Sequence, residues 1–250
     1  LILVGFAAAT VRPADVRAMD RTSWSRLAVI GIVGGSVPFI LFFGGLAMAS
    51  APSAAFIHKT LFVWVALLAV PLLGERLGWI QVGALATLLA GQAIVAPPRD
   101  VAWGTGETLI AAATLLWSVE VIVAKRLLGT VPAAVGAAGR MGIGLVLLLG
   151  YLAVSGTLGD LLALTPAAWG WVLLTGLLLA GYVSTWYAAL RRAPATVVTS
   201  VLVVGAVITA ALQSVQKGAL PEPSAIGGYV LIAAGAVAVA VLASRRHAAV

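Results

Sequence analysis

Apolar residues along this chain come in long unbroken runs. They do not alternate every second position or return every third or fourth. Breaks at Pro, Gly and charge clusters leave a partial run at 1–10 and eight complete ones, at 27–49, 51–72, 78–96, 103–124, 132–154, 167–189, 194–216 and 224–243. A hydrocarbon core about 30 Å thick needs about 20 apolar residues of helix, so each complete run is long enough to cross a bilayer. Lipid offers backbone N–H and C=O groups no partners, so such runs are expected to be helices, and the alternation of barrel strands is missing. The one polar connection of any length is VRPADVRAMDRTSWSR at 11–26. The first run begins at Leu1 with no basic segment before it, which is not a signal-peptide pattern. It reads as the tail of a membrane helix.

Composition supports lipid as the solvent. Hydrophobic residues make up 62% of the chain and charged ones 9%, with a mean hydropathy of +1.12, whereas soluble domains carry roughly 25% charged residues. The net charge of +7 would suit nucleic acid, but no basic run is interleaved with aromatics in a polar segment, so nucleic acid is not an expected partner. There is no cysteine, which rules out disulfides and thiolate chemistry. His58 and His247 are far apart, and the eight acids show no ligand spacing, so neither a metal nor a cofactor is expected.

The charge becomes informative once placed by side. With 11–26 in the cytoplasm and sides alternating at each span, the cytoplasmic face holds Arg12, Arg17, Arg21, Arg26, Arg76, Lys125, Arg126, Arg191, Arg192, Arg245 and Arg246. The outer face holds only Arg99 and Lys217, while Lys59 and Arg140 fall within spans. This bias predicts a multi-pass protein of the cell inner (plasma) membrane with a cytoplasmic C-terminus.

An internal repeat is also visible. ASAPSAA (49–55) and RRAPATV (191–197) each open a span on Ala-Pro, with Pro52 and Pro194 standing 142 positions apart. Pro suits the first helical turn because it needs no donor there. VGALATLLAG (82–91) matches IGGYVLIAAG (226–235) at an offset of 144, which predicts a two-residue insertion between the two landmarks. An odd number of spans separates the copies, so the second is expected upside down. Inverted repeats are a device of secondary transporters.

Four segments resemble the EamA-type members of the drug/metabolite transporter superfamily: LLGERLGWIQVGALATLLAGQAIV (72–95), LLWSVEVIVAKRLL (115–128), AAGRMGIGLVLLL (137–149) and YAALRRAPATVVTSVL (187–202). The Gly-Glu-Arg and Arg-Arg-Ala-Pro joints are the most specific marks. The resemblance implies an all-α membrane protein with a ten-helix inverted-repeat (5+5) fold, here lacking the first helix and most of the second. The first half would be 1–97 and the second 98–250. It also implies a central cavity, no ATPase domain, and export of amino acids, other metabolites or drugs. The second joint, which in that pattern repeats Gly-Glu-Pro, reads KGALPEP (217–223), so it is open whether Glu222 does what Glu75 does.

Polar groups inside the spans are the candidate site. Lys59 lies about eight residues, or about 12 Å, into its span, and a cation at that depth costs about 2.5–3.5 kcal/mol unless it meets water or a partner. It is expected to line a cavity, with pairing to a carboxylate or snorkelling as the alternatives. His58 points about 100° away on the helix and borders the same cavity only if that is wide. Arg140 is as deep as Lys59. Thr196, Thr199 and Ser200 share one helix face, and Thr209, Gln213 and Gln216 another. Such hydroxyls either line a path or bond their own backbone carbonyls. Trp117, Trp186 and Tyr182 are candidate aromatic walls, whereas Trp24, Trp79, Trp103, Trp169 and Trp171 sit near span ends as interface anchors. Glu120 is read either as an interfacial acid near Lys125 or as a proton-coupling carboxylate. No catalytic residue is expected, because Ser118 beside Glu120 has no nearby histidine. Two functions stay open: transport of a small metabolite, such as an amino acid or other carboxylate, and proton-coupled export of cationic drugs through Glu120.

Overall fold

The computed structural model describes residues 2–97, 103–161 and 163–247, and among these every regular element is helical. The α-helices are α1 (Ile2–Thr10), α2 (Pro13–Arg17), α3 (Arg21–Val33), α4 (Val37–Leu46), α5 (Ala51–Lys59), α6 (Leu61–Leu73), α7 (Trp79–Val95), α8 (Thr105–Leu127), α9 (Ala133–Val154), α10 (Pro166–Arg192), α11 (Ala195–Val201), α12 (Gly205–Lys217) and α13 (Pro223–His247). Seven stretches are long and apolar enough to cross a membrane: Arg21–Leu46, Ala51–Leu73, Thr105–Leu127, Ala133–Val154, Pro166–Arg192, Ala195–Lys217 and Pro223–Leu242. Trp79–Val95 is a shorter apolar helix. These are the eight runs predicted from hydrophobicity, with α1 as the partial one. Arg99 lies outside the described residues, as do the side chains of Arg245 and Arg246.

Three of the spans are not continuous α-helix. The first breaks between Val33 and Val37, a stretch that holds Gly34 and Gly35 and lies just before Pro38. The second breaks at Thr60 alone, and the Ala195–Lys217 span relaxes into a 3₁₀ turn at Leu202–Val204.

The chain packs as two compact units, Leu1–Ile40 with Val123–Arg192, and Leu41–Ile122 with Ala193–Val250. Each takes helices from both sides of residue 97. In the first unit α3 lies along α9 in parallel, since Leu27 abuts Gly139 while Gly31 abuts Ile143 four residues further on in each helix. Tyr187 of α10 lies against Gly136 of α9. The start of α3 is capped by Asp20, whose carboxylate accepts from the Ser23 N–H at 2.9 Å.

The second unit contains the internal repeat, and its geometry accounts for the shifted offset. Helices α5 and α11 end at Lys59 and Val201, 142 positions apart, whereas α6 and α12 are both 13 residues long and are displaced by 144. Both end on a glycine in the left-handed region, Gly74 at φ 68° and Gly218 at φ 64°. The two inserted residues therefore lie in the break, which is one residue (Thr60) in the first copy and three (Leu202–Val204) in the second.

Packing of α7 on α13 shows the inversion directly. A Cβ on Gly91 would come within 2.7 Å of the Gly228 carbonyl oxygen, and one on Gly235 within 3.0 Å of the Ala84 carbonyl oxygen. Position 91 matches 235, and position 84 matches 228, at the offset of 144. Exchanging the two copies thus turns one contact into the other. As the residue number rises along α7 its partner's falls along α13, so the helices are antiparallel and related by a local two-fold axis. Small residues let the backbones approach this closely. Leu88 and Ile232 fill the adjoining core with Phe62, Val203 and Ala206.

A side chain at this crossing has no room, because its neighbour is backbone. Gly91→Ala is expected to destabilise the protein by about 1–3 kcal/mol, read as a lowered unfolding temperature in detergent. Gly83→Ala on the same helix, with nothing within 4 Å, is expected to leave that temperature unchanged or raise it slightly.

Candidate functional site

The break at Thr60 follows from how its backbone is bonded. Thr60 accepts the positions of a turn, φ −70° and ψ −5°, and its N–H and hydroxyl both bond the Ile57 carbonyl, at 3.1 and 2.7 Å. Its hydroxyl also receives the Trp64 indole N–H at 3.1 Å. His58 and Lys59 are the last two residues before this break, so both ionisable groups sit in the C-terminal turn of a half-helix. Cations are favoured there by the helix dipole.

Sequence reading left His58 without neighbours. In the structure its ring is clasped by two aromatics of the same unit. The Trp117 ring lies 5.0 Å away at 66°, and the Phe42 ring 5.2 Å away at 58°. Phe42 and Trp117 themselves meet at 5.5 Å, closing a three-ring cluster. Nδ1 of His58 is buried and has no hydrogen-bond partner. Among the described residues the only other side-chain atom in that state is Oε1 of Gln92, on α7. Buried polar atoms are normally paired. Trp117 was thus a predicted site residue that the fold brings to His58, while Phe42 was missed. Its place on the preceding span gave no signal, because a Phe in an apolar run looks like any other.

Thr199 and Ser200 do not join this cluster. Both are buried, and their hydroxyls bond carbonyls of their own helix: Thr199 to Ala195 and Thr196, and Ser200 to Thr196 at 2.6 Å. Thr196, on the same face, bonds elsewhere. Its N–H and hydroxyl, with the Ala195 N–H, are all taken by the Glu75 carboxylate. The reason is local. Residue 194 at the start of α11 is Pro, which has no side-chain acceptor, so the first N–H groups of the helix need a partner from another segment. In the first copy Ser50 does the same job within its own chain segment, accepting from the Ser53 N–H at 3.2 Å. The Gly-Glu-Arg and Arg-Arg-Ala-Pro joints, noticed separately in the sequence, are two sides of one contact. Glu222 makes no such clasp among the described residues; it lends its backbone carbonyl to the start of α13.

Arg140 sits in the other unit, 6% exposed. One guanidinium nitrogen donates to the Gly34 carbonyl at 2.8 Å, and the group lies 5.8 Å from the centre of the Phe39 ring. The residue four positions on from Gly34, which in a helix would supply an N–H to its carbonyl, is Pro38 and has none. Ser36 closes the same break by donating to the Gly31 and Ile32 carbonyls. Tyr182 and Trp186 stack at 6.0 Å and 22°, with Trp186 buried and Tyr182 exposed. Glu120 is 3% exposed, so it is not an acid on the open surface. Gln213 and Gln216 are exposed on α12.

Antiparallel copies of a helical unit, with half-helices broken at matched positions, define a polytopic membrane protein of the inverted-repeat class. The EamA-like transporter family model matches residues 1–96 and 104–241. The chain belongs to that family, and is a membrane transporter. No curated protein sequence matches it. Among solved structures 26 chains match. One, described as "Crystal structure of protein", superimposes with a TM-score of 0.75 at 22% identity, over 98% of this chain and 83% of its own. That likeness is one of fold.

Removing the carboxylate that starts α11 should expose three donors. Glu75→Ala is expected to cost about 1–2 kcal/mol, measured by thermal unfolding in detergent. Glu75→Gln should recover part of the loss, because one of its two acceptors survives.

Proposed function

We propose that this chain is a secondary transporter which moves a small metabolite across the cell inner membrane by alternating access, as an exporter, without nucleotide hydrolysis. Its two halves, 1–97 and 98–250, would exchange roles so that one site faces each side in turn. The observation that carries this reading is the group at the Thr60 break: an imidazole nitrogen with no partner, held between two aromatic rings, beside a half-buried lysine. Transporters built from inverted repeats place their sites at discontinuous helices, where backbone and side-chain polar groups are not spent on helix bonds.

A half-buried cation and an unpaired hydrogen-bonding nitrogen suit an anionic group, so the substrate class proposed is a carboxylate such as an amino acid. Lys59 and His58 are the primary contacts, and Trp117 forms a wall. Arg140 is a weaker candidate because part of its guanidinium closes the α3–α4 break, and Thr199 and Ser200 are weaker because their hydroxyls are spent on their own helix. Tyr182 and Trp186 complete the set of candidate contacts. A second reading is export of cationic drugs driven by protons, favoured by the buried carboxylate of Glu120.

In liposomes loaded with a panel of metabolites, a carboxylate substrate is expected, and Lys59→Ala should lower its transport at least about tenfold, in line with a lost charge-assisted contact of about 1.5–3 kcal/mol. An unchanged rate removes Lys59 from the mechanism. Transport of amines that needs both Glu120 and a proton gradient would favour the second reading.

The chain has no native cysteine, which makes topology simple to test. Single cysteines at Arg12 and Arg191 should both react with a membrane-impermeant thiol reagent in inside-out vesicles and not in right-side-out cells. Reaction from opposite faces would contradict the proposed orientation.

A further inference from the structure

Gln92 of α7 is 1% exposed, and its amide oxygen Oε1 is buried with no hydrogen-bond partner. An amide acceptor taken out of water without a donor destabilises the fold that holds it. The amide takes no part in the packing or capping of its helix. Close approach of α7 to α13 is made by the neighbouring Gly91, which faces the Gly228 carbonyl. The end of α7 uses only the Gln92 backbone carbonyl, which accepts from the Ala96 N–H.

The local two-fold axis relating the two copies places this amide. At the offset of 144, position 92 matches Ala236 of α13. Ala236 is buried in one cluster with Val203, a residue of the second copy's break. Helix α13 packs on that break and on α11. The matching position of α7 is therefore directed at the first copy's break, and α7 packs on α5 as the two-fold requires. That break is Thr60, with His58 and Lys59 directly before it. An unpaired acceptor from α7 thus meets the same discontinuity as the unpaired imidazole nitrogen and the half-buried cation of α5.

We propose that Gln92 is a specificity-determining contact of the transport site, where Oε1 accepts a hydrogen bond from the ammonium group of an α-amino acid. The inference rests on the carboxylate reading above, with the carboxylate held at Lys59 and His58. An amide oxygen can only accept, so it selects a solute with a donor, and a plain carboxylate has none to offer. An α-amino acid carries the anion and the donor on one carbon, which suits a cation and an acceptor brought to one break. Phe42 and Trp117 beside His58 favour an apolar side chain. A site built to bond a substrate N–H rejects the analogue lacking it, because its own buried group is then left unpaired.

The full chain in detergent would be titrated with L-leucine, with 4-methylpentanoate, which lacks only the ammonium group, and with 3-methylbutylamine, which lacks only the carboxylate. Binding would be read from the rise in unfolding temperature and from competition with labelled leucine in liposomes. The native protein is expected to bind leucine at least about tenfold more tightly than 4-methylpentanoate, a measure that needs no variant. Gln92→Met, of similar volume, should bring the two affinities together by weakening leucine alone. It should also leave the unfolding temperature equal to the native value or higher, since no bond within the protein is lost. Lys59→Ala should weaken both acids alike. Equal binding of the two acids by the native protein, a leucine preference that survives in Gln92→Met, or a Gln92→Met protein that unfolds earlier and loses both acids equally would each overturn the role of Gln92. In those cases the carboxylate reading stands as long as Lys59→Ala weakens both acids. Tightest binding of the amine, or binding of none of the three, would overturn both.

Discussion

Within a bilayer a backbone carbonyl or N–H that loses its helical partner has no water to turn to. Two helix breaks and one helix start in this structure are closed by specific polar groups. Pro38 has no N–H to offer the Gly34 carbonyl, and Arg140 donates to it. The carbonyls of Gly31 and Ile32 are served by the Ser36 hydroxyl. Thr60 uses its own hydroxyl to close the turn at the midpoint of its span. Pro194 leaves the start of α11 without a side-chain cap, and Glu75 supplies one from another segment. Two of its few charged groups, Arg140 and Glu75, serve places where the helical backbone is interrupted.

The same constraint makes the unclosed groups informative. Nδ1 of His58 and Oε1 of Gln92 are buried polar atoms that no backbone or side chain meets. The first lies beside a break repeated in both copies of the unit and is bounded by aromatic faces. A transporter needs polar atoms that are available to a passing solute, and these two stand out because the other buried side-chain N and O atoms among the described residues are bonded.

Small residues decide how the copies of the repeat meet. Gly91 against Gly228, and Gly235 against Ala84, bring two antiparallel backbones together in a way that exchange of the copies preserves. The two copies are not identical in their breaks or caps. The second has two more residues at its break, and it borrows Glu75 where the first relies on Ser50. Such differences allow two structurally related half-helices to be held by bonds of different strength.

The spans were legible in the sequence because their determinant is additive: about 20 apolar residues suffice, whatever they touch. The repeat, its two-residue insertion and the kink near Gly34 and Pro38 were legible for similar reasons, since they depend on spacing and on the backbone limits of Gly and Pro. Partnerships were not. That Glu75 belongs to α11, that Arg140 answers Pro38, that Phe42 and Trp117 enclose His58, and that Ser200 turns back on its own helix all depend on which helices become neighbours. Segments many residues apart are brought together by close packing of small residues, and a one-dimensional pattern of apolar runs carries no record of which run lies beside which.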